Sequence, residues 1–337
     1  MRLALDAMGG DHGPKPNVAG ALAALAAVPD LNLLLVGDQA QLEPLMAGTT
    51  FGPDRIKIVH APDAIGMKEK PVEAFRRKPD NSVAVCWKAM AIGKADGVVS
   101  AGNTGAVVAG GLYLKKFLKG VRRPGIAALM PTAKGRTVIM DVGANVFPKP
   151  SHLLQYGAMG IAYARKMLGI AFPTVGLMNV GEEEGKGHEL VVKTYELFRN
   201  GSLAPHFIGN VEGRDIHRGA CDVIVTDGFV GNVILKQAEG AFELMVELVK
   251  RNVIDLLDAE RSKAAEAFQR MVGTLHHSAA GGAPLLGIDG TCIICHGSSD
   301  ERSIANALAT AAHSVRSQLN AEITAAIEAL PQLTADD

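Results

Sequence analysis

The stretch Ser100-Ala101-Gly102-Asn103-Thr104-Gly105-Ala106 has the composition of a turn that holds an anion. It follows the apolar run Gly97-Val98-Val99, which reads as a buried strand, and it precedes a small-residue run, Val107 to Leu114, which reads as the start of a helix. Glycines let backbone approach a ligand closely, and the free amides of a helix N-terminus point outward with the positive end of the helix dipole. Asn103 and Thr104 add polar side chains at the same point. A glycine turn between strand and helix also serves purely steric ends, so spacing alone leaves both readings open.

Lys186 stands between Gly185 and Gly187 in a polar loop. Flanking glycines permit close approach, and a lysine there is a point charge for phosphate or a developing oxyanion, or else a solvated surface cation. Cys292-Ile293-Ile294-Cys295-His296 matches a haem-attachment pattern. In a strand the two thiols would face opposite ways, and the short, early-charged N-terminus Met1 to Asp6 does not read as an export signal. Reduced, buried thiols are expected instead. Glu182-Glu183-Glu184 with His188-Glu189 reads as a solvated acidic turn, since no metal-binding helical register is present. Neither a P-loop, nor a dinucleotide fingerprint after the first strand, nor a nucleophile elbow occurs. No metal and no cofactor are expected.

The elements that would carry these turns alternate between short apolar runs and helical periodicity. Strands are predicted at 3–5, 31–36, 56–60, 97–100, 126–130, 138–141, 175–179, 206–209 and 223–226, and again at 284–288 and 291–295. Helices are predicted at 17–28, 82–92, 152–168 and 190–198. The alternation predicts an α/β fold with a mostly parallel sheet flanked by helices, in which ligands sit beyond the strands' carboxyl ends. Polar glycine turns recur there: Asp6 to Asp11, Asp141 to Asn145, Asn179 to Gly187, Gly209 to Asp215 and Asp227 to Asn232. Their repetition predicts one shared cleft lined by strand ends.

The chain reads as a single α/β catalytic unit over 1–337, with room for two lobes. From 232 to 277 the pattern changes to two long helices, with Asp258 as a cap for the second. A helical hairpin with this much apolar surface is expected to meet a dimer partner. A closing helix is predicted from Ser303 to Leu330. Net charge is −1 and aromatics make up 4% of the 337 residues, which argues against a nucleic-acid binder. No acidic residue lies between Asp96 and Asp141, while Lys115, Lys116, Lys119, Arg122 and Arg123 do. That local positive surface suits an acidic protein partner or anionic headgroups, or is simply a solvated face.

Taken in order, Asp6-Ala-Met-Gly-Gly-Asp11, Ser100 to Ala106, Asp141-Val-Gly-Ala-Asn145, Gly209 to Asp215, Asp227-Gly-Phe-Val-Gly-Asn232 and His296-Gly-Ser-Ser299 closely resemble the phosphate acyltransferase family of bacterial phospholipid synthesis. The resemblance covers about residues 1 to 325. It implies a fold similar to the isocitrate and isopropylmalate dehydrogenases and the phosphotransacetylases, and transfer of a long-chain acyl group from acyl–acyl carrier protein to inorganic phosphate. The acyl-phosphate then feeds a glycerol-3-phosphate acyltransferase. Members are cytoplasmic homodimers, joined partly through a helical hairpin, that can associate peripherally with the inner face of the membrane. Here the bend from Val253 to Glu260 is apolar but acidic, which is unfavourable beside an anionic leaflet.

On this resemblance, phosphate needs positioning more than deprotonation, and the thioester oxygen needs donors. Ser100, Gly102, Asn103, Thr104 and Gly105, with Asn145 and Asn232, are expected to hold phosphate. Lys186, with Asn179 or Asn210, is expected to polarise the thioester or balance the phosphate charge, and Asp6, Asp11 and Asp227 to orient these groups beside the turn glycines Gly9 and Gly10. His12 and His296 are candidate proton donors, and the basic stretch from Lys115 to Arg123 would receive the carrier protein. The alternative is a phosphotransacetylase-like enzyme using acyl-coenzyme A. A metal- and nicotinamide-dependent dehydrogenase would need an acidic metal site that cannot be assembled from these residues, and a non-catalytic scaffold would show no phosphate-dependent release of carrier thiol.

Overall fold

The structure is a computed structural model that describes residues 1–114, 116–275 and 281–331. The strands are β1 (Arg2–Asp6), β2 (Asn32–Gly37), β3 (Ile56–His60), β4 (Gly97–Ser100), β5 (Gly125–Thr132), β6 (Gly135–Met140), β7 (Val175–Met178), β8 (Phe207–Val211), β9 (Val223–Val225), β10 (Ala283–Leu286) and β11 (Thr291–Ile294). The helices are α1 (Pro14–Ala27), α2 (Gln39–Met46), α3 (Pro71–Arg77), α4 (Ser82–Ala91), α5 (Thr104–Leu114), α6 (Pro150–Leu168), α7 (Glu189–Asn200), α8 (Gly213–Ile216), α9 (Gly228–Asn252), α10 (Arg261–Leu275), α11 (Glu301–Arg316) and α12 (Leu319–Glu328).

The strands form one sheet in the order β3-β2-β1-β4-β11-β10-β5-β6-β9-β7-β8. Pairings within β3-β2-β1-β4-β11 are parallel, as are those within β6-β9-β7-β8. The pairings β11–β10, β10–β5 and β5–β6 are antiparallel. Two parallel blocks therefore run in opposite directions along one ladder. The turns after β1, β4, β6, β9 and β11 still line one cavity, at the junction of the two blocks, whereas those after β7 and β8, at the edge of the second block, do not line it.

Alternation along the strands feeds opposite faces, as a period of two requires. Leu3 and Leu5 of β1 pack with α1 and α11 through Leu25, Ile304 and Leu308, whereas Ala4 joins the cluster around Trp87 of α4. In the second block Val138 and Met140 pack under α6 with Tyr156, Tyr163 and Phe198, while Ile139 faces the Trp87 side. The same alternation separates the two cysteines of the C-x-x-C-H run, with Cys292 in the Trp87 cluster and Cys295 in the Leu3 cluster. All four cysteines are free and buried, and burial pushes the Cys295 thiol up to about 12.

Boundaries moved where local chemistry outweighed periodicity. α1 and α6 begin earlier than predicted because Pro14 and Pro150 occupy first-turn positions that need no N–H. α9 begins at Gly228, capped by Asp227. The second long helix begins at Arg261, whose N–H donates to the Asp258 carbonyl (3.3 Å). The closing helix is two helices, broken at Gln318 with φ 55°.

Candidate active site

The turn after β1 and the turn after β4 are built against each other. Asp6 is buried; its carboxylate accepts the Ser100 hydroxyl (2.7 Å), and Ser100 Oγ accepts the Gly102 N–H (3.0 Å). Burial raises the Asp6 pKa against the opposing hydrogen bonds from Ser82, Ser100, Met8 and Gly9. A Cβ on Gly9 would stand 2.5 Å from the Gly102 nitrogen, so only glycine allows this approach. Asn17 ties the first turn by donating to the Ala7 and Gly9 carbonyls (2.9 and 2.8 Å). The Asp11 N–H donates to the Gly297 carbonyl (2.7 Å), which brings in the turn after β11. Gly10 makes this possible at φ +97°, a conformation side chains resist.

Asn103 accepts the Ala106 N–H (3.1 Å) and donates to the Met67 and Glu69 carbonyls (both 3.0 Å), fixing the 66–69 loop beside α5. Thr104 and Gly105 are left exposed at the amino end of α5. Of the predicted phosphate turn, then, Ser100, Gly102 and Asn103 are framework. Thr104 and Gly105 are what a ligand can reach.

The turn after β6 is organised by Asp141. Its Oδ1 accepts the N–H of Ile126, Gly143 and Ala144 (3.0, 3.1 and 3.0 Å), and its Oδ2 accepts the Asn145 N–H (2.7 Å). Asn145 spends its side-chain amide on the Pro124 carbonyl (2.7 Å), and its carbonyl accepts the Gly228 N–H (2.8 Å). Asp227 spends its carboxylate capping α9 at Phe229 and Val230 (both 2.9 Å). A side chain at Gly231 would strike the Asp141 carbonyl. These contacts set the start of α9 and so place Asn232, which is exposed beside Gly143.

A cavity of about 350 Å³ opens between these parts, lined by Asp11, Thr104, Asn232 and His296 together with Met67, Val142, Lys236 and Glu239. Lys236 Nζ donates to Glu239 (2.8 Å) and lies 3.5 Å from His296 Nε2. His296 Nδ1 lies 2.7 Å from Ser298 Oγ and accepts the Ser298 N–H (3.3 Å), so the ring is held between Ser298 and Lys236. The wall thus offers a helix N-terminus, an amide, an imidazole and an ammonium within one small volume. That set can hold an anion and stabilise a second negative charge developing beside it.

Lys186, Asn179 and Asn210 are not on this wall. Asn179 and Lys186 follow β7 and Asn210 lies buried within β8, at the far edge of the second block. Asn179 donates to the Lys186 carbonyl (2.9 Å) and accepts the Val180 N–H (2.8 Å); Asn210 donates to the Glu183 carbonyl (3.0 Å). Lys186 is half exposed, 4.0 Å from Glu183. His12 is exposed off the cavity. Lys236 and Glu239 escaped the sequence reading. The available signal was helical spacing: Lys236 lies four residues after Asn232 on the same face of α9.

Of the basic stretch, Lys116 pairs with Asp289 (3.8 Å) and Lys119 with Glu328 (2.9 Å), while Lys115 lies outside the described residues. Arg122 donates to Ser151 Oγ (3.2 Å) and Arg123 is exposed. Both act with Lys149 on His152. Burial first, and then these three cations, lower its pKa to about 4.

Known proteins agree with this architecture and narrow it. The fatty acid synthesis protein family matches residues 1–322. A phosphate acyltransferase of Desulforamulus reducens is 44% identical over 332 residues, covering 97% of this chain and 98% of the relative. Another from Heliobacterium modesticaldum is 46% identical over 326 residues, covering 96% of each. Among solved structures, a phosphotransacetylase from Streptococcus pyogenes superposes with a TM-score of 0.62 at 20% identity, over 94% of both chains, and shows the shared fold. Matched along nearly its whole length by that model and by these relatives, the chain belongs to the phosphate acyltransferase family.

Proposed function

We propose that the chain transfers a long-chain acyl group from acyl–acyl carrier protein to inorganic phosphate in the cavity between α5, the 296–299 turn and α9. The observation that carries this reading is the convergence of Thr104, Asn232, Lys236 and His296 on one cavity. Phosphate sits against the exposed amino end of α5, where backbone amides and the helix dipole favour an anion. Asn232 and the Lys236 ammonium face the thioester carbonyl. A phosphate oxygen adds to the carbonyl carbon, the oxyanion is held by those donors, and the C–S bond breaks as the carbonyl re-forms. The carrier leaves as thiolate, and its proton comes from solvent or through His296. Asp11 orients rather than contacts phosphate, since a bare carboxylate would repel it. In this reading the role predicted for Lys186 passes to Lys236.

The Arg122–Arg123–Lys149 cluster receives the acidic carrier protein. The chain works as a homodimer through the outer face of α9, where Val233, Leu244 and Leu248 are exposed. Among the described residues no helix is long and apolar enough to cross a membrane. Peripheral contact would use the bend at Val253 and Leu256, which stands beside Asp255, Asp258 and Glu260 and is weak on an anionic leaflet. The product, a mixed anhydride, suits immediate use by a glycerol-3-phosphate acyltransferase.

The test is release of carrier thiol from acyl–acyl carrier protein with and without phosphate, with acyl-coenzyme A in parallel. Phosphate-dependent release that strongly prefers the carrier protein is expected. Equal use of coenzyme A would favour the phosphotransacetylase-like alternative, and no release would refute transfer.

A further inference from the structure

We propose that the substrate's acyl chain lies in a second, apolar groove between α9 and the β5–β6 hairpin. This rests on the acyl-transfer reading above. The groove holds about 490 Å³, within the roughly 300–1,000 Å³ of small-ligand sites, and is walled by Met130, Ala133, Ala238, Ala241, Phe242 and Met245. It adjoins the catalytic cavity: Leu129, Leu235 and Glu239 line both. The polar end of the joint space carries Asn232, Lys236 and His296, and the apolar end carries none of the chemistry. A thioester carbonyl held at Lys236 therefore has its hydrocarbon directed along α9, about 14 Å from Lys236 to Met245 at the helical rise. Methionines at two points of the wall suit an adaptable fit to a flexible chain.

The competing occupant is a second copy of this chain covering α9. The side-chain directions of the half-buried residues argue against it. At 3.6 residues per turn, Leu235, Ala238 and Phe242 lie within about 60° of one another and face the groove half-buried, while Val233 and Leu244 lie roughly 120–180° from them and are exposed. The inner stripe adjoins the site, and the outer face is left for a partner.

Hexadecanoyl–acyl carrier protein carrying a diazirine near the chain end, irradiated on the wild-type protein, should label peptides 129–133 and 238–245. In parallel, Ala241→Trp and Ala133→Trp narrow the groove from its two walls. Each methylene kept from apolar contact loses about fourfold, so denying two or three should lower the kcat/KM ratio of hexadecanoyl to butyryl donor by roughly tenfold or more. Labels confined to other peptides, including those of a second copy, would overturn the groove, as would an unchanged ratio in both variants. If one variant fails to fold, the label on wild type still decides. A wild-type protein that releases no thiol with phosphate refutes the transfer reading itself, whereas normal turnover with labels elsewhere refutes only the groove.

Discussion

Replacing Asp141 by asparagine keeps the shape of the side chain and removes one charge and one acceptor. In the wild type, Oδ1 serves three backbone amides at 3.0–3.1 Å and Oδ2 serves the Asn145 N–H at 2.7 Å. The new carbonyl can keep the three, but its amide nitrogen then points a donor at the Asn145 donor. Hydrogen bonds to a charged acceptor contribute about 1.5–3 kcal/mol and neutral ones about 0.5–1.5, so three weakened bonds and one lost bond together cost roughly 4–7 kcal/mol. Against this, Asp141 is fully buried, and burial raises its pKa, so removing the charge recovers part of the loss. The expected net destabilisation is about 2–4 kcal/mol, or a Tm lower by roughly 3–6 °C at about 1.4 °C per kcal/mol for a chain of 337 residues. Because the 141–145 loop sets Gly228 and borders Asn232, kcat/KM for acyl–acyl carrier protein should fall as well. Differential scanning calorimetry with steady-state kinetics checks both. A Tm within about 1 °C of wild type with unchanged kinetics would refute the account of this loop as the part that positions α9.

Lys236→Met should cost about a hundredfold in kcat, as loss of an oxyanion donor does, while Lys186→Ala costs far less; the reverse order would return the charge-stabilising role to Lys186. His152 is held neutral by the fold, with its pKa down from 6.5 to about 4, and its Nδ1 accepts the Lys149 N–H at 3.0 Å. Its stabilising contribution is therefore complete above pH 6.5 and lost as pH falls from 6.5 towards 4. Solvent screening of this half-exposed group limits it to about 1 kcal/mol, and His152→Gln should flatten that part of a stability–pH curve. Arg123→Glu should raise KM for acyl–acyl carrier protein several-fold at low salt and less at high salt; a change in kcat alone would remove the cluster from docking.

The strands were legible because runs such as Leu31–Val36 and Val138–Met140 are apolar enough to be buried on both faces. Which turns stand apart from the cavity was not legible. The pairing of β10 with β5 reverses the sheet, yet Ala283–Leu286 and Gly125–Thr132 look like any other buried strand. Direction depends on partners far away in sequence, and no local pattern encodes it. Strand order is equally non-local, so Lys186 and Asn179, which read as site residues beside their glycines, stand toward the sheet's far edge, while Lys236 read as part of a helix. Side chains already spent on framework, such as Ser100 on Asp6 and Asn145 on Pro124, likewise look the same in sequence as side chains aimed at a ligand.

The central strands also carry a consequence for how the molecule is made. β10 and β11 join the two blocks, each through a ladder of few residue pairs, and they come from residues 283 to 294, near the end of the chain. As a ribosome delivers the protein, β5 must wait with an open edge for roughly 150 further residues and β4 for roughly 190. Two half-sheets can assemble in that interval, but the wall carrying His296 cannot. Nor can α11, whose Ile304 and Leu308 pack with Leu3 and Leu25. A growing chain is thus inert until its last strands insert, and the waiting edges are where a chaperone would be needed.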